Sequence, residues 1–152
     1  MKTIKSLFAV LFALLAFSAC EKDGDKIYLQ SLESNNLMAT TDRVELNADL
    51  AQEIVVSLAW TDRTIQISDP AVGTTVTVTN YVEASLSEDF STTVSKTATT
   101  SLSIAFTGLE LNSLASEIGA VTGRNNKIYF RLAGTTGTNI PLVYSNVVSI
   151  DV

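Results

Sequence analysis

The sequence predicts an all-β fold, a β-sandwich with one short helix over about residues 109–119. From residue 43 onward, apolar residues recur mainly at every second position. The alternating segments are short and rich in Val, Ile and Thr, and polar or glycine-containing turns separate them. Such alternation is typical of strands with one buried face, and several short strands separated by turns favour a sandwich.

The individual strands follow from where the alternation occurs. Residues 44–46 are predicted as the first strand, and residues 64–67 as a short strand that forms a hairpin with residues 75–79. In the other strands the residues predicted to face the core are Ile54, Val56, Leu58 and Trp60; Val76, Val78, Val82, Ala84 and Leu86; Leu102, Ile104 and Phe106; Ile128, Phe130 and Leu132; and Tyr144, Val148, Ile150 and Val152.

One segment follows a helical period instead. Its apolar stripe, at positions i, i+3, i+4 and i+7, consists of Leu111, Leu114, Ala115 and Ile118. Thr107 and Glu110 have the spacing of a capping box, and Gly119 follows as a helix stop. We interpret the helix as a connection that covers one end of the sandwich, with a partner-binding surface as the alternative.

The N-terminus has the features of an export signal. Two lysines lie within the first five residues, and residues 7–17 are all apolar. Eleven residues are too few to cross a membrane, which needs about 20, but they suit the apolar region of a signal peptide. The small residues Ser18 and Ala19 follow. The sequence therefore predicts a signal peptide over residues 1–19.

Residues 17–20, Phe-Ser-Ala-Cys, resemble a bacterial lipobox. This resemblance implies cleavage before Cys20 and a covalent diacylglycerol and N-acyl lipid, such as palmitate, on that residue. The alternative is an ordinary secretory peptide with a chance cysteine. As the single cysteine, Cys20 cannot form an internal disulfide, whereas several acyl chains give stable membrane anchoring.

The predicted mature chain has two parts. Residues 20–42 are assigned to the lipidated N-terminus and a tether, and residues 43–152 to the sandwich domain. Glu21, Asp23 and Asp25 resemble the acidic export signal of surface lipoproteins. The expected location is therefore the outer membrane, lipid-anchored and facing the cell surface, with a periplasm-facing position as the alternative.

The overall charge argues against polyanionic partners. The chain has 10 Lys and Arg against 16 Asp and Glu, a net charge of -6. Nucleic acids and anionic lipid headgroups are bound by clustered basic residues. We therefore expect no nucleic-acid partner.

Three segments resemble an immunoglobulin-like or fibronectin-III-like sandwich: residues 58–60, 81–85 and 144–148. The second half of the chain has a closer match. Residues 110–112 (ELN), 127–133 (KIYFRLA) and the closing VYSNVVSIDV, behind a lipobox and a strand that ends in Trp60, resemble the N-terminal domain of SusE-type outer-membrane lipoproteins of starch-utilisation systems.

This resemblance implies particular partner proteins. In such systems, surface lipoproteins sit beside a TonB-dependent porin and its lid-like glycan-binding lipoprotein, and they hold starch or other oligosaccharides at the cell surface. In SusE-type proteins this domain is a stalk, and carbohydrate-binding modules follow it. We therefore expect a structural or assembly component of a SusCD-like glycan-uptake system. The alternatives are a direct starch- or glycan-binding lipoprotein, or an unrelated adhesin-like envelope domain.

Catalytic chemistry is not expected. The chain has no histidine, the commonest general base and metal ligand. No G-x-S-x-G motif occurs, and a conventional triad needs histidine. Glu88 and Asp89 form an adjacent acidic pair, but neighbouring side chains on a strand point in opposite directions. We predict a protein that is not an enzyme, with no metal site and no cofactor besides the lipid.

Sugar binding would require exposed aromatic rings. Strand parity assigns four aromatic residues to the core: Trp60, Phe106, Phe130 and Tyr144. Tyr81 and Tyr129 fall on the opposite parity and are the candidate glycan-contacting residues. The alternative is that they pack against side chains of neighbouring strands.

Overall fold

The structure is a computed structural model that describes residues 29–63, 65–69, 76–137 and 140–152. Its elements are β1 (Leu29–Leu32), β2 (Leu37–Ala39), a single 3₁₀ turn (Ala48–Leu50), β3 (Ile54–Trp60), β4 (Ile65–Ile67), β5 (Thr79–Ser85), β6 (Val94–Thr99), β7 (Ser103–Thr107), α1 (Gly108–Glu117), β8 (Lys127–Thr135), β9 (Val143–Tyr144) and β10 (Val148–Asp151). The signal peptide, Cys20 and the acidic residues after it lie outside the described residues.

Two antiparallel sheets form the sandwich. The main sheet has the strand order β10-β8-β5-β6, and β9 also pairs with β8. The second sheet has the order β2-β3-β7, and β1 pairs with β4 alone. The core between the sheets includes Leu58 and Trp60 from β3 and Ile128 and Phe130 from β8. The predicted all-β sandwich is confirmed.

The helix is also confirmed. It begins at Gly108 and ends at Glu117. The Thr107 side chain accepts from the Glu110 N–H, and the Glu110 carboxylate accepts from the Thr107 N–H at 2.8 Å. The carboxylate also accepts from the Thr107 hydroxyl at 3.0 Å, and the bonds that it accepts from the Thr107 N–H and hydroxyl lower the pKa of Glu110. Gly119 follows the helix with a φ of 93°, a conformation that favours glycine.

A single side chain joins the two sheets along one side. The Leu37 N–H of β2 donates to Asn146 Oδ1 at 2.7 Å, and Asn146 Nδ2 donates to the Leu37 carbonyl at 2.9 Å. Asn146 lies between β9 and β10 at the edge of the main sheet. Its amide thus pairs with the β2 backbone as a neighbouring strand would.

Two predicted core residues face outward because each adjoins a one-residue insertion. Between Ile54 and Val56, β3 advances two positions while β7 advances one, and Ile54 is 66% exposed. Between Tyr144 and Val148 the chain advances four positions while β8 advances three. An odd residue moves the following side chains to the other face of the sheet. The prediction that Tyr144 lies in the core was therefore wrong.

Leu102 was also predicted to face the core, but it is 48% exposed. It precedes β7, where its carbonyl accepts from the Trp60 N–H at 3.0 Å. The backbone of Leu102 is thus used in the sheet, whereas its side chain lies outside the alternating part of the strand.

The N-terminal part of the sandwich differs from the sequence prediction. Both β1 and β2 lie within residues 20–42, which were assigned to the tether, and Leu37 of β2 is 1% exposed. Residues 44–46 are not a strand, although the Val44 N–H donates to the Asp151 carbonyl at 2.8 Å. The strand β4 pairs with β1 and not with residues 75–79; Thr64 and residue 75 lie outside the described residues.

A buried arginine packs against Gly134 at one end of the sandwich. Arg63 is 6% exposed. Its Nε donates to Asn80 Oδ1 at 3.0 Å, and its Nη1 donates to the Glu33 carbonyl at 3.2 Å. Asn80 and Gly134 are opposite each other in β5 and β8. A Cβ on Gly134 would lie 2.6 Å from Arg63 Cζ, so only glycine leaves room for the guanidinium.

We predict that Gly134→Ala lowers the free energy of unfolding by about 1–3 kcal/mol, because the guanidinium must leave its hydrogen bonds. Gly137→Ala is the matched control, since the nearest atom to its Cβ would be 3.9 Å away, and its effect should stay within about 0.5 kcal/mol of zero. Urea unfolding of both variants measures this. Equal stability of the two variants would contradict the packing role of Gly134.

Candidate functional site

The outer face of the main sheet carries the candidate residues. In the register of β6, β5 and β8, Tyr81 is opposite Ala98 and Ala133. Four residues further along β5, Ser85 is opposite Tyr129. Tyr81 and Tyr129 therefore share this face, as predicted from parity, and both are half-buried. Four residues of strand separate their rows by about 14 Å, so the structure does not bring the two rings together.

A buried carboxylate lies between the two tyrosine rows. Glu83 is 4% exposed and faces outward, opposite Lys96 on one side and Arg131 on the other. Its Oε1 lies 3.1 Å from Lys96 Nζ, and its Oε2 accepts from Arg131 Nε at 2.9 Å. Two cations thus neutralise a carboxylate that is almost entirely out of water. Burying such a charge without its partners is strongly destabilising.

The Arg131 guanidinium is held between two aromatic rings. Its Cζ lies 3.9 Å from the centroid of Phe90 and 3.9 Å from the centroid of Tyr144. Phe90 follows β5 and Tyr144 belongs to β9, so the rings approach from the two flanks of β8. A cation over an aromatic face is attracted by the ring quadrupole. Tyr144, predicted in the core, is in fact 40% exposed at this site.

A tight loop places Phe90 on the sheet. The Asp89 carboxylate accepts from the Ser87 hydroxyl and from the Ser91 N–H, the latter at 3.0 Å. These hydrogen bonds lower the pKa of Asp89 from 3.8 to about 2. Because the chain reverses direction in this loop, Phe90 has a φ of 56°, which lies in the left-handed region that non-glycine residues rarely adopt. Phe90 is nevertheless 9% exposed, so its packing over Arg131 offsets the strain.

The tyrosine predicted on β5 also contacts a cation. Lys96 Nζ lies 4.5 Å from the centroid of Tyr81. Tyr129 lies between Ser85 of β5 and Ser149 of β10. A glycan-contacting role for Tyr81 and Tyr129 stays a prediction. The same face carries a cluster that was not found from the sequence, which consists of Glu83, Lys96, Arg131, Phe90 and Tyr144. The available signal was the presence of opposite charges at outward-facing positions of neighbouring strands.

Apart from this sheet face, a concavity lies near the C-terminal end of β10. It has a volume of about 550 Å³ and is lined by residues of the 43–46 segment, α1 and the 120–126 loop. Arg43, Glu45, Asn112 and Arg124 contribute polar groups, and none of the aromatic residues that the structure describes lines it. It therefore offers no ring on which a sugar could stack.

The described part of the chain contains no group of three or more His, Cys, Asp or Glu side chains that could hold a metal ion. Within the same ranges, no helix has the length and apolar character needed to span a membrane.

Comparison with known families identifies the chain. The family model of the SusE outer membrane protein matches residues 22–133. The chain belongs to the SusE outer membrane protein family. The SusE resemblance predicted from sequence is thereby confirmed, and an unrelated adhesin-like domain is excluded. Neither curated proteins nor solved structures gave a significant match.

SusE membership indicates an outer-membrane protein of a starch-utilisation system. The matched range begins before β1 and ends at Ala133, so it includes Glu83, Phe90, Lys96 and Arg131. It does not extend to β9 and β10. The closing sequence VYSNVVSIDV, which contributed to the predicted resemblance, therefore lies outside the matched residues.

Proposed function

We propose that this protein is a lipid-anchored structural or assembly module of a SusCD-like glycan-uptake system at the cell surface. The observation that carries the proposal is the SusE family match over residues 22–133. The lipobox ends at Cys20, two residues before that range, and supplies the anchor. The acidic residues Glu21, Asp23 and Asp25 support export to the surface.

The outer face of the main sheet supports an assembly role over a role as an open platform for starch. The Tyr81 ring is engaged by Lys96, and the Tyr144 ring by Arg131. Glu83 uses one oxygen for each of the two cations. Ring faces that already contact cations have less area left for stacking on a neutral sugar. The partners proposed for assembly are the TonB-dependent porin and the glycan-binding lipoprotein of the same system.

The anchor and the assembly role are tested together. We expect Cys20→Ala to remove labelled palmitate and to release the protein from the membrane fraction, because the thioether attachment is lost. Crosslinking in intact cells should recover the porin with the wild-type protein and not with the released variant. Ser18→Thr, which leaves the cysteine in place, is the control.

Two results would contradict this proposal. Palmitate that still enters the Cys20→Ala variant would show that lipid is attached elsewhere. A wild-type protein that yields no crosslinked partner, with an uptake complex that stays intact when the gene is deleted, would exclude the assembly role.

Direct glycan binding is the second candidate function. It is favoured by three tyrosines on one sheet face, Tyr81, Tyr129 and Tyr144, of which Tyr144 is 40% exposed. Native affinity electrophoresis in gels that contain starch tests it. Retardation that is lost in a Tyr81→Ala, Tyr129→Ala double variant would support the candidate, whereas unretarded migration in starch and related glucans would reject it.

A further inference from the structure

Arg131 has hydrogen-bonding capacity that the fold leaves unused. Of its three guanidinium nitrogens, only Nε donates within the described residues, to Glu83. Nη1 and Nη2 have no hydrogen-bond partner there, and neither nitrogen is fully buried. The side chain is 20% exposed. The terminal edge of the guanidinium thus reaches solvent with its N–H groups free.

This edge is also preorganised. Phe90 and Tyr144 hold the guanidinium from its two flanks, and the Glu83 bond fixes its inner edge. Little side-chain entropy is therefore lost when a ligand binds. The flanking residue Tyr144 is 40% exposed, so a ligand at the guanidinium edge would also lie beside this residue.

We propose that the Arg131 edge and the Tyr144 ring form a binding site for a carboxylate-bearing sugar, that is, a uronic acid unit of an oligosaccharide. The two terminal nitrogens present parallel N–H groups whose spacing matches the two oxygens of a carboxylate. The part of Tyr144 that does not contact Arg131 can pack against the apolar face of the sugar ring. A planar fork held in this way is a property of arginine that lysine does not supply.

The local charge agrees with an acidic ligand. Within the ion-paired cluster, Lys96 and Arg131 outnumber Glu83 by one positive charge, and the carboxylates of Glu88 and Asp89 lie in the adjacent loop. The whole chain, in contrast, has a net charge of -6. The excess cation of this cluster is the group that an anionic ligand would contact. A neutral glucan would gain no ionic contact from it.

This inference goes beyond the proposed assembly function and can fail separately from it, because binding is measured on the purified protein without its partners. The full-length lipoprotein in detergent is titrated calorimetrically with tetragalacturonic acid. Maltoheptaose serves as the neutral comparator and dextran sulfate as a non-planar anion. We expect tetragalacturonic acid to bind at least about tenfold more tightly than either.

Variants assign the binding to the site. Arg131→Lys keeps a cation for Glu83 but loses the fork, and should weaken tetragalacturonate binding by about tenfold or more. Tyr144→Ala leaves the Glu83–Arg131 pair in place and should also weaken it, so the test does not depend on one variant folding. Arg124→Gln removes an exposed cation that lines the concavity near the end of β10, and this variant should bind like the wild type.

Each opposite result overturns the proposal. Wild-type affinity in the folded Arg131→Lys variant would show that the guanidinium does not bind the carboxylate. Wild-type affinity in Tyr144→Ala would show that the Tyr144 ring does not contribute to binding. Equal loss in Arg124→Gln, or equal binding of dextran sulfate, would indicate non-specific attraction of anions. Equal binding of maltoheptaose would show that the carboxylate is not recognised.

Discussion

The outer face of the main sheet is organised by the burial of the Glu83 carboxylate between two cations. Glu83 is only 4% exposed, and an ion in that position is tolerated when its charge and lone pairs are matched. This requirement fixes Lys96 and Arg131 on the neighbouring strands. These cations in turn contact the rings of Tyr81, Phe90 and Tyr144. These three rings therefore contact cations that one acidic side chain holds in place.

A one-residue insertion in the edge strand connects this face to the closure of the sandwich. The extra residue between β9 and β10 moves Tyr144 outward, where its ring meets Arg131. The same irregular segment contains Asn146, whose amide bonds to both backbone groups of Leu37 in the second sheet. A regular strand would turn Tyr144 into the core. The irregular segment between β9 and β10 thus both turns Tyr144 toward the outer face and joins the two sheets.

The sequence predicts those parts of the structure that follow from local pattern. Period-two alternation identifies the central strands, the capping box identifies the start of α1, and parity correctly puts Tyr81 and Tyr129 on the outer face. Alternation cannot reveal an inserted residue, which is why Ile54 and Tyr144 were assigned to the wrong face. The pairing of Glu83 with Arg131, 48 residues apart, depends on strand register. The short strands β1 and β2 carry too little alternation to be recognised.

A double-mutant cycle between Glu83 and Arg131 tests the central role of the buried carboxylate most directly. Glu83→Gln, Arg131→Gln and the double variant are unfolded in urea, and the ring signals of Phe90 and Tyr144 are followed by NMR. We expect each single variant to be destabilised and to shift both ring signals, with a coupling energy of at least about 1.5 kcal/mol. Additive effects with unchanged ring signals would show that Glu83 does not organise this face.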